Sequence, residues 1–263
     1  MELSGRTVLL TGATGGLGHA LARRLRGEGA SLILTGRRTD VLEPLAAEVG
    51  GRAVAVDLAD RDAVAQLARD HADVDVLVAN AALPASGSTL SFSVEELDRA
   101  LEVNLRAPMV LGRLLGERMV ARASGQLVFV SSLSGKIGTS GSAIYSATKF
   151  GLRGFGQGLR GDLARHGVGV TVVFPGFIRG AGMFHDSGAN LPRGVGTSTP
   201  EEVADATVRA IERNRGEVDV APLPMRVLST VGGMAPRLTE LGPGGKARDR
   251  VADQMADGQR VKR

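Results

Sequence analysis

A tyrosine and a lysine one helical turn apart are the first residues whose types and spacing could do chemistry. Tyr145 is the only tyrosine among the 263 residues, and Lys149 follows it in the segment AIYSATKFGL. Positions i and i+4 share one face of a helix, so both side chains can point into one cleft. A free phenol has a pKa of about 10, and a nearby ammonium lowers it by favouring the phenolate. The pair therefore indicates proton transfer, with an ordinary surface pair as the alternative.

A glycine-rich turn near the N-terminus is a candidate anion site. TGATGGLG, residues 11–18, directly follows an apolar run and directly precedes a helical pattern. Glycines there let the backbone approach a diphosphate, and the free amides of a helix N-terminus attract the anion. The strict GxGxxG spacing is not met, so a plain tight turn is the alternative. We expect a dinucleotide to contact this turn at Gly12, Thr14, Gly16, Leu17 and Gly18.

The end of the second apolar run bears on which dinucleotide binds. Sites for NAD usually place a carboxylate there for the ribose 2′-hydroxyl, whereas sites for NADP place an arginine nearby. The run ends LTGRRTD, so Arg37 and Arg38 follow it and no carboxylate occupies the position. The sequence therefore favours NADP(H), and NAD(H) is the alternative cofactor. A further alternative is that Arg37 and Arg38 are a solvated pair with no role in cofactor binding.

Apolar runs alternate with helical patterns along the chain. The runs are mostly non-alternating, as expected of strands buried on both faces, and each is followed by a segment with helical spacing. The six runs are residues 7–10, 31–35, 53–56, 74–79, 127–130 and 170–174, and the segment EVDVAP at 217–222 is the candidate for a last strand. This order predicts an α/β fold, a Rossmann-type doubly wound parallel sheet of about seven strands with helices on both faces.

The chain divides into a folded body and a C-terminal extension. A late helix should begin at Thr199 as N-cap, with Pro200 in the first turn and Glu202 closing a capping box. We expect residues 1–221 to form one nucleotide-binding domain that includes the catalytic residues. Residues 222–263 should form a partly helical extension with a mobile end.

The composition argues against membrane-spanning, secreted, nucleic-acid-binding and metal-binding proteins. The chain has no cysteine, no apolar run long enough to span a membrane and no signal peptide, so we expect a cytoplasmic protein. The net charge is +4, and most of the excess lies in the last 18 residues, which argues against a nucleic-acid partner. Contact of that tail with a membrane surface is a minor alternative. The four histidines have no metal-ligand spacing, so no metal is predicted.

Six motifs in order resemble the short-chain dehydrogenases/reductases. They are TGATGGLG, ANAA at residues 79–82, VNL at 103–105, VSS ending at Ser132, YSATK at 145–149 and PGFI at 175–178. The chain resembles the compact, single-domain branch of that family over about residues 3–221. The resemblance implies hydride transfer between a nicotinamide cofactor and a carbonyl/alcohol pair.

The resemblance also implies catalytic roles. Tyr145 would exchange a proton with the substrate oxygen, and Lys149 would hold the nicotinamide ribose. Ser132 would bind the substrate oxygen, although Ser131 competes for this role because only one of two successive strand residues faces the cleft. Asn104 would position a water for proton relay, with a merely helix-bending polar residue as the alternative.

By the same resemblance, further residues should contact the cofactor. Those expected at the adenine, the ribose and the nicotinamide are Asp57, Leu58, Asn80, Ala81, Pro175, Gly176 and Ile178. Two departures from the family pattern concern the cofactor. Gly180 replaces a common threonine that binds the carboxamide, and Gly15 stands where many NADP-preferring relatives carry a basic residue.

The sequence predicts only the class of the substrate and the presence of an oligomer. Apolar residues flanking the cleft suggest a hydrophobic ketone or secondary alcohol, unless they face the core: Leu133, Ile137, Phe177, Met183 and Phe184. Glycines at 151, 154, 158 and 161 fall near one helix face, which predicts close helix packing in a homodimer or homotetramer. Alternatives are a catalytically silent nucleotide-binding regulator, an NAD-dependent alcohol dehydrogenase of the same family, and an epimerase or dehydratase.

Overall fold

A seven-stranded parallel sheet forms the centre of the protein. The computed structural model describes residues 1–191, 195–234, 251 and 254–259. The strands are β1 (Thr7–Leu10), β2 (Ser31–Gly36), β3 (Arg52–Ala55), β4 (Val76–Ala79), β5 (Gly125–Val130), β6 (Val168–Pro175) and β7 (Glu217–Val220). Their order across the sheet is β3-β2-β1-β4-β5-β6-β7. The order reverses between β1 and β4, and open α/β sheets bind ligands at this kind of switch point.

Helices connect the strands in a regular alternation. They are α1 (Gly16–Gly27), α2 (Thr39–Val49), α3 (Arg61–Asp70), α4 (Val94–Leu101), α5 (Ala107–Ala121), α6 (Ala143–Leu163), α7 (Met183–Ser187), α8 (Pro200–Glu212) and α9 (Leu223–Met234). A π-helical turn, Glu102–Arg106, joins α4 to α5, and a 3₁₀ turn, Leu133–Gly135, follows β5. The predicted Rossmann-type fold is confirmed.

Successive strand residues point to opposite faces, and this produces two apolar cores. Val8 and Leu10 of β1 pack with α1, α2 and α8, whereas Leu9 packs on the other face with α3, α5 and α6. Both faces of the strands are buried, which is why their sequences are continuously apolar. The sheet is therefore packed between two layers of helices, and a ligand-binding site can form at the carboxyl ends of its strands.

The helix starts agree with the sequence signals. Thr199 caps α8 with a complete capping box to Glu202 and Pro200 in the first turn, as predicted. The predicted strands match β1 to β7 within two residues at most ends. The amphipathic segment after residue 222 forms α9, and most of the extension beyond it lies outside the described residues. Within the described ranges, no helix is long and apolar enough to cross a bilayer.

Candidate active site

The candidate residues gather because parallel strands end at one edge of the sheet. The glycine turn follows β1, Asn80 follows β4, Ser132 follows β5, and Pro175 ends β6. Tyr145 and Lys149 lie in the first two turns of α6, which packs beside β6 and the 3₁₀ turn after β5. The edge therefore brings the predicted proton-transfer residues and the predicted dinucleotide turn into one region.

Ser132 lies at the N-cap of the 3₁₀ turn, facing Tyr145. Its Oγ accepts a hydrogen bond from the Ser134 amide at 3.1 Å and makes a long contact of 3.5 Å with the Pro175 carbonyl. It also hydrogen-bonds to the Tyr145 hydroxyl, which favours the phenolate. Two hydroxyls of different elements thus meet at the end of β5, where a substrate oxygen could bind both.

Lys149 is buried to 2% exposure one turn further along α6. Its Nζ donates a hydrogen bond of 2.9 Å to the Val130 carbonyl and lies 5.5 Å from the centre of the Tyr145 ring. Tyr145 and Lys149 therefore lie on one face of α6, as their spacing predicts. The ammonium is held by the backbone of β5, beside the aromatic ring.

The expected lowering of the phenol pKa is wrong. Burial raises the pKa of Tyr145 to about 12, and the hydrogen bond to Ser132 opposes this rise only in part. Burial also lowers the pKa of Lys149 to about 8. Desolvation disfavours the charged forms of both groups and is the largest cause of both shifts. At neutral pH the phenol is therefore protonated and able to donate.

The structure separates the two competing serines. Ser131 is 3% exposed, and its Oγ donates to the Lys149 carbonyl at 3.0 Å. This contact fastens the end of β5 to α6, and Gly135 packs so close to Ser131 Oγ that a Cβ there would lie 2.6 Å away. Ser131 thus holds the two elements together, while the half-buried Ser132 faces the phenol.

Asn104 lies in the π-helical turn and is 1% exposed. Its Oδ1 accepts from the Leu83 amide at 2.6 Å, and its Nδ2 donates to the Leu83 carbonyl at 2.9 Å. Both contacts fix the loop that leaves β4, and π-helical turns frequently occur at functional sites. The side chain acts here as a positioning group for that loop, and its water-binding role remains a prediction.

The glycine turn is braced from β4. Gly12 has φ +67°, and a Cβ at this position would lie 2.6 Å from the Ala81 Cα, so only glycine fits. Asn80 Nδ2 donates to the Thr11 and Gly12 carbonyls at 3.1 Å each. Thr11 Oγ1 accepts from the Asn80 and Ala81 amides, a bracing role that the sequence reasoning missed.

The start of α1 fits a diphosphate. Gly15 is the N-cap and has no side chain, so no side-chain cap satisfies the first amides of α1 among the described residues. The partly buried side chain of Leu17 packs against the core. Gly18 packs directly on Gly12 and Ala13, which explains the third glycine by close backbone approach. Gly16 instead lies against Ala181, in the loop after β6.

A cavity of about 670 Å³ lies beside this turn. It extends from Thr14 past Arg38 to Arg179 and the N-terminus of α8, and Ser132, Tyr145 and Lys149 are not among its described lining residues. The cavity therefore belongs to the phosphate end of the predicted dinucleotide site rather than to the proton-transfer cluster.

The end of β2 carries the two predicted arginines. Arg38 Nη2 donates to the Thr14 carbonyl at 2.5 Å, which places this guanidinium against the glycine turn. Arg37 Nη1 lies 3.9 Å from Asp57 Oδ2. Arg99 of α4 binds the same carboxylate oxygen at 2.9 Å, a contact that no local sequence signal could reveal. Burial opposes ionisation of Asp57, but the Ala59 amide and the two arginines keep its pKa below the usual value.

The residues predicted near the nicotinamide lie at the end of β6. Gly176 donates its amide to the Val220 carbonyl at 2.9 Å and lies against Ala221 and Leu133. Ile178 pairs with Ser198 in a short parallel bridge and packs on the core with α1 and α8. Leu58, at the other end of the predicted cofactor site, is 7% exposed and belongs to the core beside α3.

The predicted substrate-pocket residues divide into two groups. Leu133 is 6% exposed and packs with Phe174 and Met225, so its role is that of a core residue. Phe177 and Phe184 are half-buried and pack against each other, with ring centres 4.9 Å apart. Ile137 and Met183 are also half-buried. Four of the five are therefore placed where an apolar group could reach them.

Comparison with known proteins gives a consistent family assignment. Residues 6–191 match the family model described as short chain dehydrogenase. The chain is 36% identical over 248 residues to the ketoacyl reductase HetN of Nostoc sp., covering 89% of this chain and 86% of that protein. It is 33% identical over 181 residues to the 3-oxoacyl-[acyl-carrier-protein] reductase FabG of Rickettsia conorii, covering 68% and 75%.

A solved structure agrees in fold. The short-chain dehydrogenase from Sphingobium yanoikuyae, in complex with NADPH, superposes with a TM-score of 0.77 at 26% identity. The match covers 90% of this chain and 97% of that one.

Proposed function

The chain belongs to the short-chain dehydrogenase family and is an NAD(P)-dependent oxidoreductase acting on CH–OH and C=O groups, and from its geometry we propose a more specific activity. It is an NADP(H)-preferring reductase of hydrophobic ketones that uses Tyr145 as general acid. The observation that carries the proposal is the meeting of Ser132, Tyr145 and Lys149 at the end of β5. A protein that only binds nucleotide has no need for a partly buried proton donor there.

Side chains of the protein bind the substrate oxygen and transfer a proton to it. Bound cofactor supplies a hydride to the carbonyl carbon. The hydroxyls of Ser132 and Tyr145 bind the carbonyl oxygen, and Tyr145 donates its proton as negative charge develops there. The buried ammonium of Lys149 favours the phenolate that remains. In the oxidation direction the same phenolate accepts the proton.

Arginines at the end of β2 support the preference for NADP(H). No carboxylate occupies the three positions directly after β2, and the carboxylate of Asp57, 3.9 Å from Arg37, is already bound by Arg99. Arg38 contacts the glycine turn and Arg37 lies near Asp57, so these two guanidinium groups would hold a ribose 2′-phosphate. A relative in complex with NADPH has the same fold, which further supports this choice.

The substrate is an apolar carbonyl compound, and a β-ketoacyl ester or thioester fits best. The tilted pair Phe177 and Phe184 offers an aromatic wall in the loop after β6. Two relatives are named as reductases of ketoacyl groups, which supports the same substrate class.

An open glycine face on α6 supports a homo-oligomer. A Cβ at Gly154, Gly158 or Gly161 would meet no described atom within 4 Å, and the neighbouring Phe150 is 41% exposed. Each glycine costs a helix about 1 kcal/mol relative to alanine, which close packing by a second copy would offset. Sedimentation of Gly158→Glu should give monomer, while a monomeric wild type at micromolar concentration would refute this part.

Cofactor and substrate are tested together. NADPH and NADH are titrated into the protein by fluorescence, with Arg37→Ala beside Arg113→Ala, a remote exposed ion-pair arginine. We expect tighter NADPH binding, weakened about tenfold by Arg37→Ala alone, a change of about 1.4 kcal/mol. NADPH oxidation with acetoacetyl-coenzyme A and with acetophenone then tests the reaction. Tighter NADH binding would refute the NADP preference, and binding without any oxidation would refute the reductase.

A further inference from the structure

We propose that Lys136 and Arg153 are positioning residues for carbonyl reduction, because Lys136 is anchored to Glu217 and Asp219 on β7 and Arg153 is anchored to the same Glu217. Lys136 belongs to the loop of the candidate Ser132, and Arg153 to the helix of Tyr145 and Lys149. The proposal rests on the proposed function, since it concerns the geometry of that reaction. Nothing in the proton-transfer cluster itself requires these charges.

Lys136 lies four residues after Ser132 and is nearly buried. Its Nζ is 2.6 Å from Asp219 Oδ1 and 3.3 Å from Glu217 Oε2, with 9% of the side chain exposed. The ammonium also lies 4.2 Å from the centre of the Phe174 ring. Its backbone amide donates to the Leu133 carbonyl, which closes the 3₁₀ turn behind Ser132. The ion pair thus fastens this turn to β7.

Helix α9 covers this lysine. A Cβ at Gly233 would lie 2.5 Å from the Lys136 carbonyl oxygen, so the helix backbone lies directly on the turn. Only 9% of the Lys136 side chain and 15% of the Asp219 side chain are exposed, and this partial loss of water strengthens their electrostatic attraction.

Arg153 lies one turn after Lys149 and two turns after Tyr145 on the same helix. Its Nε binds Glu217 Oε1 at 2.9 Å, and its guanidinium lies 5.6 Å from the Phe174 ring centre. Gln157 donates to the same Glu217 oxygen at 2.7 Å. The helix is therefore fastened to the same strand residue that binds Lys136.

Lys136 and Arg153 attach the loop after Ser132 and helix α6 to the same strand, β7. β7 is hydrogen-bonded to β6 in register, with Glu217 opposite Val172 and Asp219 opposite Phe174. Burial opposes ionisation of Glu217, but Arg153 and Lys136 keep its pKa below the usual value, so the carboxylate stays charged. Buried ion pairs add little net stability, and their best-attested benefit is a fixed arrangement. That arrangement here sets how the Ser132 and Tyr145 hydroxyls face each other.

The variant that tests this is Lys136→Met, which keeps the aliphatic length and removes the charge. We expect kcat for acetoacetyl-coenzyme A to fall about 10- to 100-fold, because small misplacements of reacting groups are costly. The dissociation constant of NADPH should change by less than about twofold, since the lysine is remote from the glycine turn. Lys136→Arg should restore most of the rate, and Arg113→Met, at an exposed ion pair on α5, should change neither quantity.

A second measurement does not depend on turnover. The chain has one tyrosine and no tryptophan, so its intrinsic fluorescence reports on Tyr145 alone. We expect Lys136→Met to change this emission, because the Ser132 hydrogen bond to the phenol is lost, and Arg113→Met to leave it unchanged. If Lys136→Met does not fold, Lys136→Met/Asp219→Asn, which removes both charges, takes its place.

The outcomes separate the two proposals. Absence of turnover in the wild type would refute the proposed function, and the emission of the folded variant would still test the positioning role. A folded variant with unchanged kcat and unchanged emission would overturn the positioning role. An equal loss of NADPH affinity and rate would also overturn it, since that points to general structural damage.

Discussion

Replacing Lys149 by methionine should make the protein more stable near neutral pH while abolishing its activity. The ammonium is 2% exposed, and burial lowers its pKa from the ordinary 10.5 to about 8. A pKa difference of this size means that the folded protein disfavours the charged form of this side chain by about 3 kcal/mol relative to the unfolded chain. Methionine has similar length and no charge, so it removes this cost.

Part of the gain is offset by the lost hydrogen bond. Lys149 Nζ donates to the Val130 carbonyl at 2.9 Å, and a hydrogen bond from a charged donor contributes about 1.5–3 kcal/mol. The expected net gain at about pH 7 is therefore about 1 kcal/mol. Gains in stability at the expense of activity are common where functional groups are buried.

The pH dependence of this difference is the sharper prediction. Between the folded pKa of about 8 and the unfolded 10.5, the unfolded chain binds the proton and the folded protein does not, so this group makes the wild type more stable as pH rises. In urea unfolding, the free energy of unfolding of the wild type should rise by about 2 kcal/mol relative to that of Lys149→Met as the pH increases from about 7 to about 9.5. A difference that is constant over this range would refute the reasoning on the buried ammonium.

Two further predictions concern the cofactor turn and the phenol. Gly12→Ala should cost at least about 2 kcal/mol in urea unfolding, because its Cβ would lie 2.6 Å from the Ala81 Cα at a φ of +67°. The matched Gly5→Ala, at φ +72° with open space, should cost only about 1 kcal/mol, and equal costs would exclude the close approach as the cause. Alkaline titration of tyrosinate absorbance should give a midpoint of about 12 for the sole tyrosine, and a higher one in Ser132→Ala. A midpoint near the ordinary 10.0 would contradict the desolvation of this phenol.

The fold could be predicted from the sequence because its signals are local and repeated. The six apolar runs correspond to β1 to β6 and the segment EVDVAP to β7, and the signals at Thr199 and Pro200 predicted the start of α8. The side-chain period of a helix placed Tyr145 and Lys149 on one face.

The electrostatics of the site could not be predicted from spacing. Proximity of a lysine suggested a lowered phenol pKa, but the burial of both groups decides the direction. The contacts that hold the site, such as Arg99 with Asp57 and Lys136 with Asp219, join residues far apart in the chain. Sequence separation hides such pairs until the fold brings them together.

The most direct test of the central claim compares NADPH oxidation by the wild type and by Tyr145→Phe with acetoacetyl-coenzyme A. We expect the wild type to turn over, and Tyr145→Phe to bind NADPH equally well with a rate lower by at least about 100-fold, because a general acid contributes at least that much. A Tyr145→Phe protein that reduces the ketone as fast as the wild type would contradict the assignment of the proton donor.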